Sequence, residues 1–473
     1  MDIRRFSSIV LWNKSRPVIG EPPHKVHQMN PQHERSPQQP VRSLQVNFSW
    51  ILSGSVVSSA SSWIMIIVLA KLGSTEMLGR YSLGVAITTP ILMFTNLDLR
   101  SLLVTDIHRH YRFQEYLGTR LLTAILSLCL TLCIALLADF HPETTGVIVL
   151  LGVANFINAI YDIIFGFLQT NDQMDRIAKS NILRGLLSLC LFSILLHIFG
   201  KLLIAVFGMV LASLIVLITF DTKSALRVIT KHDGQHSPSF SKCLEMLCPV
   251  FHKQAIFQMV WIALPLGLVM GLLTVNANIP RYFAQHHLGE SGVGIYSAMA
   301  SIVLIGGTVV NSLMEAAMPQ LARHYALQES KAFLLLLSRV SCIAALIGIL
   351  EFSVTALIGK PLLSIVYRPE YANHMRVFLW LMASTIPLFI AYSFGNGMTA
   401  SRHFAAQLPL FAIVTSCSLI SCLLLVPRYG MEGLAMTACI SASVQACGGL
   451  LINLMAVRRI TDLSEEVKSS AYH

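Results

Sequence analysis

The chain has 473 residues, of which 12% are charged and 54% hydrophobic, with a formal net charge of +10. Ordinary soluble proteins carry about 25% charged residues. Because so few polar residues cannot cover a protein of this size, the composition excludes a soluble globular enzyme and indicates that lipid surrounds most of the surface.

Residues 1–44 differ in composition from everything that follows. They are rich in Pro, Gln, His and Arg and contain no apolar core segment, so we predict a disordered basic cytoplasmic tail rather than a signal peptide. Met29 is an alternative start to Met1.

Twelve membrane spans are predicted, because a spanning helix needs about 20 mostly apolar residues. One run, 332–359, is interrupted only by Arg339 and Glu351 and still predicts a span. The eleven runs without charged residues are 46–70, 81–97, 121–138, 144–161, 185–200, 202–220, 254–280, 291–314, 377–401, 403–427 and 433–457.

The basic residues predict the topology. With both termini on one side of the membrane, 26 of the 34 basic residues lie on that side, which identifies it as cytoplasmic. These residues are spread over seven segments, whereas a nucleic-acid interface would collect them on one face with aromatic neighbours. We therefore expect a multi-pass membrane protein with both termini in the cytoplasm and no nucleic-acid partner.

The ten Cys and sixteen His show no metal-binding pattern. No CxxC or HExxH motif occurs, and most Cys fall within predicted spans, where Cys usually packs as a small apolar residue. We therefore expect no metal and no cofactor.

An internal repeat predicts the architecture. The segment Gly79-Arg80-Tyr81-Ser82 at the second span is matched by Gly294-Ile295-Tyr296-Ser297 at the eighth. An offset of six spans keeps both copies in the same orientation, so the repeat is parallel. We predict an all-α membrane protein with two six-helix lobes around a central cavity. The predicted segments are the tail 1–44, the lobes 45–220 and 254–457, the cytoplasmic linker 221–253 and the C-terminal tail 458–473.

Three spans carry polar residues on one helix face. An isolated charge in mid-bilayer costs on the order of 2.5 to 3.5 kcal/mol, so charges within spans usually face the bundle interior or water. Asn and Ser serve equally well as hydrogen-bonding groups between helices, and for them that alternative stays open. The three faces comprise Asn155, Asn158, Asp162, Gly166 and Gln169 on span four, Ser301, Thr308, Asn311 and Glu315 on span eight, and Thr274, Asn278 and Arg281 on span seven.

Two further positions lie at predicted inner helix ends. Asn96 and Arg100 share a face of span two, while Asp98 points about 200° away and is expected to cap the helix. Arg184 is expected to snorkel to lipid phosphates but is kept as a candidate. The cavity candidates are Asn96, Arg100, Asn155, Asn158, Arg184, Asn278, Arg281 and Asn311, and the candidates for ion coupling are Asp162 and Glu315.

Several short segments resemble one transporter family. They cover roughly residues 45 to 455 and include Leu72-Gly73, Tyr81-Ser82-Leu83, Thr95 to Arg100, Thr105-Asp106, Phe167-Leu168-Gln169, Tyr367 to Ala372 and Tyr429 to Gly433. The pattern resembles the polysaccharide-transporter branch of the multidrug, oligosaccharidyl-lipid and polysaccharide exporter (MOP) superfamily, the flippases of Wzx type, which have a MATE-like fold.

The resemblance implies a function for this chain. Members of the family move a polyprenyl-diphosphate-linked oligosaccharide across the bacterial inner membrane by alternating access, for the synthesis of lipopolysaccharide, exopolysaccharide or other surface polysaccharide. Membrane lipid, H⁺ or Na⁺, a polysaccharide polymerase and glycosyltransferases are the expected partners, and the chain is expected not to be an enzyme. Two alternatives are a multidrug or cation antiporter of the same fold and a polytopic polysaccharide polymerase or glycosyltransferase.

Overall fold

The computed structural model describes residues 44–106, 110–232, 248–401 and 403–470, and the regular elements within these ranges are all helices. The prediction of an all-α protein is confirmed. The predicted tail 1–44 lies outside the described residues except for Leu44. The helices are α1 (Leu44–Leu72), α2 (Thr75–Asn96), α3 (Leu99–Thr105), α4 (Phe113–Leu137), α5 (Pro142–Thr170), α6 (Met174–Phe199), α7 (Leu202–Val216), α8 (Thr222–His232), α9 (Lys253–Ala326), α10 (Ser330–Val366), α11 (Met375–Ala400), α12 (Phe404–Tyr429) and α13 (Met431–Ser470).

Eleven helical segments among the described residues are long and apolar enough to span a membrane. One of them, the 74-residue α9, breaks at Gly289, where φ is 70° and ψ is −173°. Glycine tolerates this conformation because it has no Cβ. The break divides α9 into α9a (253–288) and α9b (290–326), so the described helices provide the twelve predicted spans.

The chain leaves the second span differently from the prediction. Leu97 and Asp98 both have left-handed backbone angles, with φ of 53° and 46°. These residues end α2 and begin α3, so Asn96 and Arg100 do not lie on one continuous helix. The assumption that both residues share a helix face was wrong. Asp98 is the residue before α3, and its side chain makes no capping hydrogen bond there.

The helices pack in two groups. In the first group α1 packs on α6, and α5 packs on α2, α4 and α7. In the second group α11 packs on α10 and α13, and α12 packs on α13. The main contact between the groups is formed by α2 and α9. We call the side of the bundle where α1 begins the terminal face, and the side that contains Gly289 the opposite face.

Residues related by the repeat meet where α2 crosses α9b. A Cβ atom on Gly79 would overlap the Glu290 carbonyl group, and one on Gly294 would overlap the Thr75 carbonyl oxygen. Gly79 corresponds to Gly294 in the repeat, and Thr75 corresponds to Glu290. The two contacts are therefore copies of each other, and a local two-fold axis passes through the crossing.

Two predicted non-membrane segments are partly helical. From α7 the chain continues through a π-helical turn, Leu217–Asp221, into α8, so the predicted linker 221–253 is helical as far as His232. Residues 233–247 lie outside the described ranges. Helix α13 extends to Ser470, into the predicted tail 458–473.

Large apolar side chains are exposed around the helices. Leu137 is 86% exposed, Leu357 83% and Phe257 67%. A soluble protein would bury such residues, and in a bilayer they face hydrocarbon at no cost. This pattern explains why the chain has so few charged residues.

Candidate functional site

Asp162 lies between two arginines in the first helix group. Its Oδ2 is 3.2 Å from Arg120 Nη2, and its Oδ1 is 3.7 Å from Arg100 Nη1. The three side chains come from α5, α4 and α3, so this cluster joins three helices. Asp98 adds a second negative charge nearby. The cluster therefore balances two positive charges with two negative ones.

Arg120 is the buried anchor of this cluster, since its side chain is only 3% exposed. Its Nε donates to the Ala159 carbonyl at 2.9 Å, and its Nη1 donates to the Asn96 carbonyl at 3.0 Å and also to the Asn96 amide oxygen. The guanidinium group thus donates its hydrogen bonds to main-chain and side-chain oxygens of two neighbouring helices, α2 and α5. Asn96 belongs to the cluster through Arg120.

Arg100 is the accessible member of the cluster, with a side chain that is 32% exposed. Its Nη2 and Nε both donate to the amide oxygen of Gln169, at 2.9 and 3.2 Å. The Arg100 guanidinium also lies 5.8 Å from the centre of the Phe165 ring. An arginine held in place by an amide and an aromatic ring keeps donors for an anionic ligand.

Arg184 lies in the interior of the first group and not at a helix end. It stands on the third turn of α6, stacks 3.2 Å from the Tyr161 ring centre and donates to Asp221 Oδ2 at 2.7 Å. The side chain of Asp221 is completely buried. The expectation that Arg184 snorkels to lipid phosphates was wrong, because the π-helical turn brings Asp221 within reach.

Arg281 forms a second arginine site, on α9a. Its Nη1 donates to the Asn278 amide oxygen at 2.8 Å, and its Nε donates to the Ser297 hydroxyl at 3.0 Å. No carboxylate pairs with Arg281 in the described part of the chain. These partners are neutral, so the site carries a net positive charge.

The remaining candidates lie on two polar helix faces. On α5, Asn155 and Asn158 are half-buried on the face that carries Asp162. On α9b, Asn311 and Glu315 are exposed on the side away from the buried residues of that helix. Among the residues that the structure describes, no hydrogen bond or ion pair joins Asn311 or Glu315 to the cluster around Asp162.

The two arginine sites lie at different depths. Asp162 is eight residues from the end of α5 at the terminal face, and Arg281 is eight residues from the break at Gly289 on the opposite face. At 1.5 Å per residue each site is about 12 Å from its own end of the bundle. An anionic group that crossed the bundle would meet them one after the other.

A set of polar contacts closes the opposite face between the two groups. Arg80 Nε donates to Glu290 Oε2 at 2.7 Å, and Nη1 of the same residue donates to Glu143. Thr144 Oγ1 donates to Glu290 Oε1 at 2.6 Å. Arg368 Nη2 donates to the Lys71 carbonyl at 2.6 Å and to the Gly73 carbonyl at 2.8 Å, and so ties the second group to the end of α1. We call these residues the opposite-face clamp.

Sequence reasoning missed three of these residues for identifiable reasons. Arg120 stands just before the charge-free run 121–138, but α4 begins at Phe113, so Arg120 lies two turns inside the helix. Asp221 was placed in the linker, whereas the helix continues through it. Glu290 was placed between two spans, and only the packing of α2 against α9b shows its partners.

A family model described as "Polysaccharide biosynthesis protein" matches residues 44–325. The capsular polysaccharide biosynthesis protein CapF of Staphylococcus aureus is 24% identical over 400 residues, which cover 84% of this chain and 96% of CapF.

Solved structures of transporters share the fold. An inward-facing MATE family transporter of the MOP superfamily superimposes with a TM-score of 0.68 at 14% identity, covering 87% of this chain and 99% of that chain. An outward-facing conformation of a MATE family transporter of this superfamily has a TM-score of 0.62 at 15% identity, covering 88% of this chain and 96% of that chain. The predicted MATE-like fold is confirmed.

Proposed function

The chain belongs to the polysaccharide biosynthesis protein family, and from this premise we propose that it is a flippase for a polyprenyl-diphosphate-linked oligosaccharide in the bacterial inner membrane. The family and the fold make it a multi-pass membrane transporter in polysaccharide biosynthesis. The lipid-linked substrate, the membrane and the direction from the cytoplasm outward are parts of the proposal.

The observation that carries the proposal is the state of Arg281. A cation within a membrane span is costly unless it is paired, and this one is surrounded by an amide, a hydroxyl and a main-chain carbonyl. A diphosphate would supply the missing negative charge, and the planar guanidinium group suits its oxygens. Amides such as Asn278 can hydrogen-bond to sugar hydroxyls.

The cluster around Asp162 would bind the same head group closer to the terminal face. Arg100 is partly exposed and has Gln169 as its second partner, so it can exchange a protein acceptor for a phosphate oxygen. Asn155 and Asn158 line the same face of α5. The polyprenyl tail would remain in the lipid beside the bundle, because transferring it to a polar path would cost about 0.8 kcal/mol per CH₂.

We propose that transport is coupled to H⁺ or Na⁺. The sequence contains no GxxxxGK[ST] motif for ATP, and the membrane potential offers about 2.3 kcal/mol per charge and 100 mV. Of the two carboxylates considered for coupling, Asp162 has two arginine partners and fits the head-group path. Glu315 is exposed on α9b and remains a candidate.

The orientation follows from the charge distribution, with both termini in the cytoplasm and the opposite face outside. A polymerase and glycosyltransferases would work on the same lipid-linked intermediate and are therefore the expected functional partners.

The test is the fate of the intermediate in cells that lack the protein. We expect surface polysaccharide to disappear and the lipid-linked oligosaccharide to accumulate on the inner leaflet, with restoration by the wild-type gene. A drug exporter would instead change resistance to toxic cations and leave polysaccharide unchanged. A polymerase would leave single repeat units on the outer leaflet. Either of these results would overturn the proposal.

A further inference from the structure

Glu351 is a carboxylic acid near the middle of α10 that the transport path described above does not use. It lies seven residues before a kink in α10 at Ile358, where φ is −125° and ψ is 15°, which corresponds to about 10 Å of helix. This depth is well within a hydrocarbon core of about 30 Å. An ionised carboxylate at this depth would need a compensating partner.

The groups around Glu351 do not supply a positive charge. From α9b, the main chain of Gly306 lies so close that a Cβ atom at this position would overlap Glu351 Oε1. From α11, the Thr385 hydroxyl faces the same carboxyl group, and Tyr392 lies against the neighbouring Gly307. In the described part of the chain Glu351 forms no ion pair, and its Oε2 is buried without a hydrogen-bond partner.

The position of Gly306 connects this carboxyl group to the transport path. Gly306 lies five residues after Ser301, on the side of α9b about 180° from the polar face that carries Asn311 and Glu315. The carboxyl group thus supports the back of the helix whose front carries the polar residues. A change in the charge of Glu351 would act directly on the packing of α9b against α10 and α11.

We propose that Glu351 is a proton-binding site that controls the position of α9b. Resting on the proposed function, this inference names the coupling ion as H⁺. In the conformation described here the carboxyl group is neutral, because its Oε2 is buried without a hydrogen-bond partner and no described residue provides a cation beside it. When α9b moves away and water enters, the O–H bond breaks, the electron pair stays on the carboxylate, and the proton passes to water. The charged form then opposes the return of α9b until a proton binds again.

Infrared spectroscopy of the full-length protein in liposomes tests proton binding without any substrate. We expect the C=O band of a protonated carboxylic acid in wild-type protein at neutral pH and its loss as the pH is raised. Glu351→Gln should remove this band from the difference spectrum. Glu329→Gln, at a half-exposed position that pairs with His324, is the matched control and should leave it unchanged. Identical titrations of wild type and Glu351→Gln would overturn the inference.

Two further measurements protect the test against a folding defect and separate it from the proposed function. Glu351→Asp keeps the acid and should shift the frequency of the band, and an unshifted band would also overturn the inference. In cells, Glu351→Gln should lose polysaccharide export at normal protein abundance, and normal export would refute the role in coupling. If deletion of the gene left the lipid-linked intermediate unchanged, the proposed function would fail regardless of the infrared result.

Discussion

Gly79 and Gly294 occupy equivalent positions of the repeat and face each other's helices at a single crossing. Each lies against a main-chain carbonyl group of the other helix, Gly79 against that of Glu290 and Gly294 against that of Thr75. Neither position has space for a methyl group.

The first prediction concerns this crossing. Gly79→Ala should lower the thermal midpoint of the purified protein, because overpacking typically costs about 1–3 kcal/mol. Differential scanning fluorimetry in detergent measures the effect. Gly395→Ala is the matched control, since a Cβ atom at this helical position would have no neighbour within 4 Å. Equal midpoints for the two variants would show that the helices move apart to accommodate the added methyl group without loss of stability.

The second prediction separates binding residues from structural ones. Arg100→Ala and Arg281→Ala should reduce polysaccharide export while protein abundance remains normal, because both side chains are partly accessible and their loss leaves no buried carboxylate without a cation. Arg120→Ala should reduce abundance as well, since it removes the buried partner of Asp162. Immunoblotting and quantification of surface polysaccharide distinguish these outcomes. Normal export by the Arg100→Ala, Arg281→Ala double variant would contradict the proposed path.

The third prediction concerns the buried pair of Arg184 and Asp221. Arg184→Met should destabilise the protein by roughly 3–5 kcal/mol, because Asp221 is then left in the interior without a cation. The double variant with Asp221→Leu should recover most of this loss. Unfolding midpoints of the four proteins form a double-mutant cycle. If the stability changes of the two single variants simply added up in the double variant, loss of the ion pair would not be the cause of the destabilisation.

The fourth prediction tests the closure of the opposite face. Ser291 Oγ donates to Thr75 Oγ1 at 2.9 Å across the boundary between the two groups. In the double variant Thr75→Cys, Ser291→Cys, a mild oxidant should join the two introduced cysteines in a disulfide. This disulfide should stop export, and its reduction should restore export. The single variants control for oxidation of the native cysteines. Undiminished export by the cross-linked protein would show that this face does not need to open.

The fifth prediction is a pH dependence at Asp106, which lies outside the spans. Burial would raise the pKa of this carboxyl group, but hydrogen bonds from the His110 ring and from the main chains of His110 and Tyr111 hold its pKa below the usual range. A lowered pKa contributes stability above the ordinary pKa of Asp, and this contribution is lost as the pH falls through the lowered value. Asp106→Asn should therefore reduce the thermal midpoint at neutral pH and converge with wild type in acid. A constant difference across pH would contradict this assignment.

The features that depend on local patterns could be predicted from the sequence. The span count followed from apolar run length, and the polar face of α5 followed from helical spacing, because α5 is one uninterrupted helix from Pro142 to Thr170. The shared face of Asn96 and Arg100 failed because two left-handed residues interrupt the helix between them. Both residues nevertheless reach Asp162, Asn96 through Arg120 and Arg100 directly.

The features that depend on long-range packing could not be predicted in this way. Asp221 pairs with Arg184 only because a π-helical turn carries the helix past the apparent end of span six. The clamp formed by Arg80, Glu290 and Glu143 requires three helix ends from both halves of the chain. In the sequence Glu351 interrupts an apolar run, but its position behind α9b cannot be read from that pattern. It depends on Gly306, whose lack of a Cβ atom leaves room for the Glu351 carboxyl group.

The crossing at Gly79 and Gly294 lies near one surface of the bundle, and its location has a mechanical consequence. If the two helix groups pivot there, the arm that reaches the far surface is close to the full thickness of the hydrocarbon, about 30 Å. A rotation of about 15°, comparable to known rigid-body transitions, would then displace the distant helix ends by roughly 8 Å. The same rotation would hardly move the atoms beside the pivot, so a cross-link between positions 75 and 291 would permit this step and block only the later separation of the helices at the crossing. With these two glycines as the pivot, a modest change in their local packing would produce a large opening between the helix ends at the far surface.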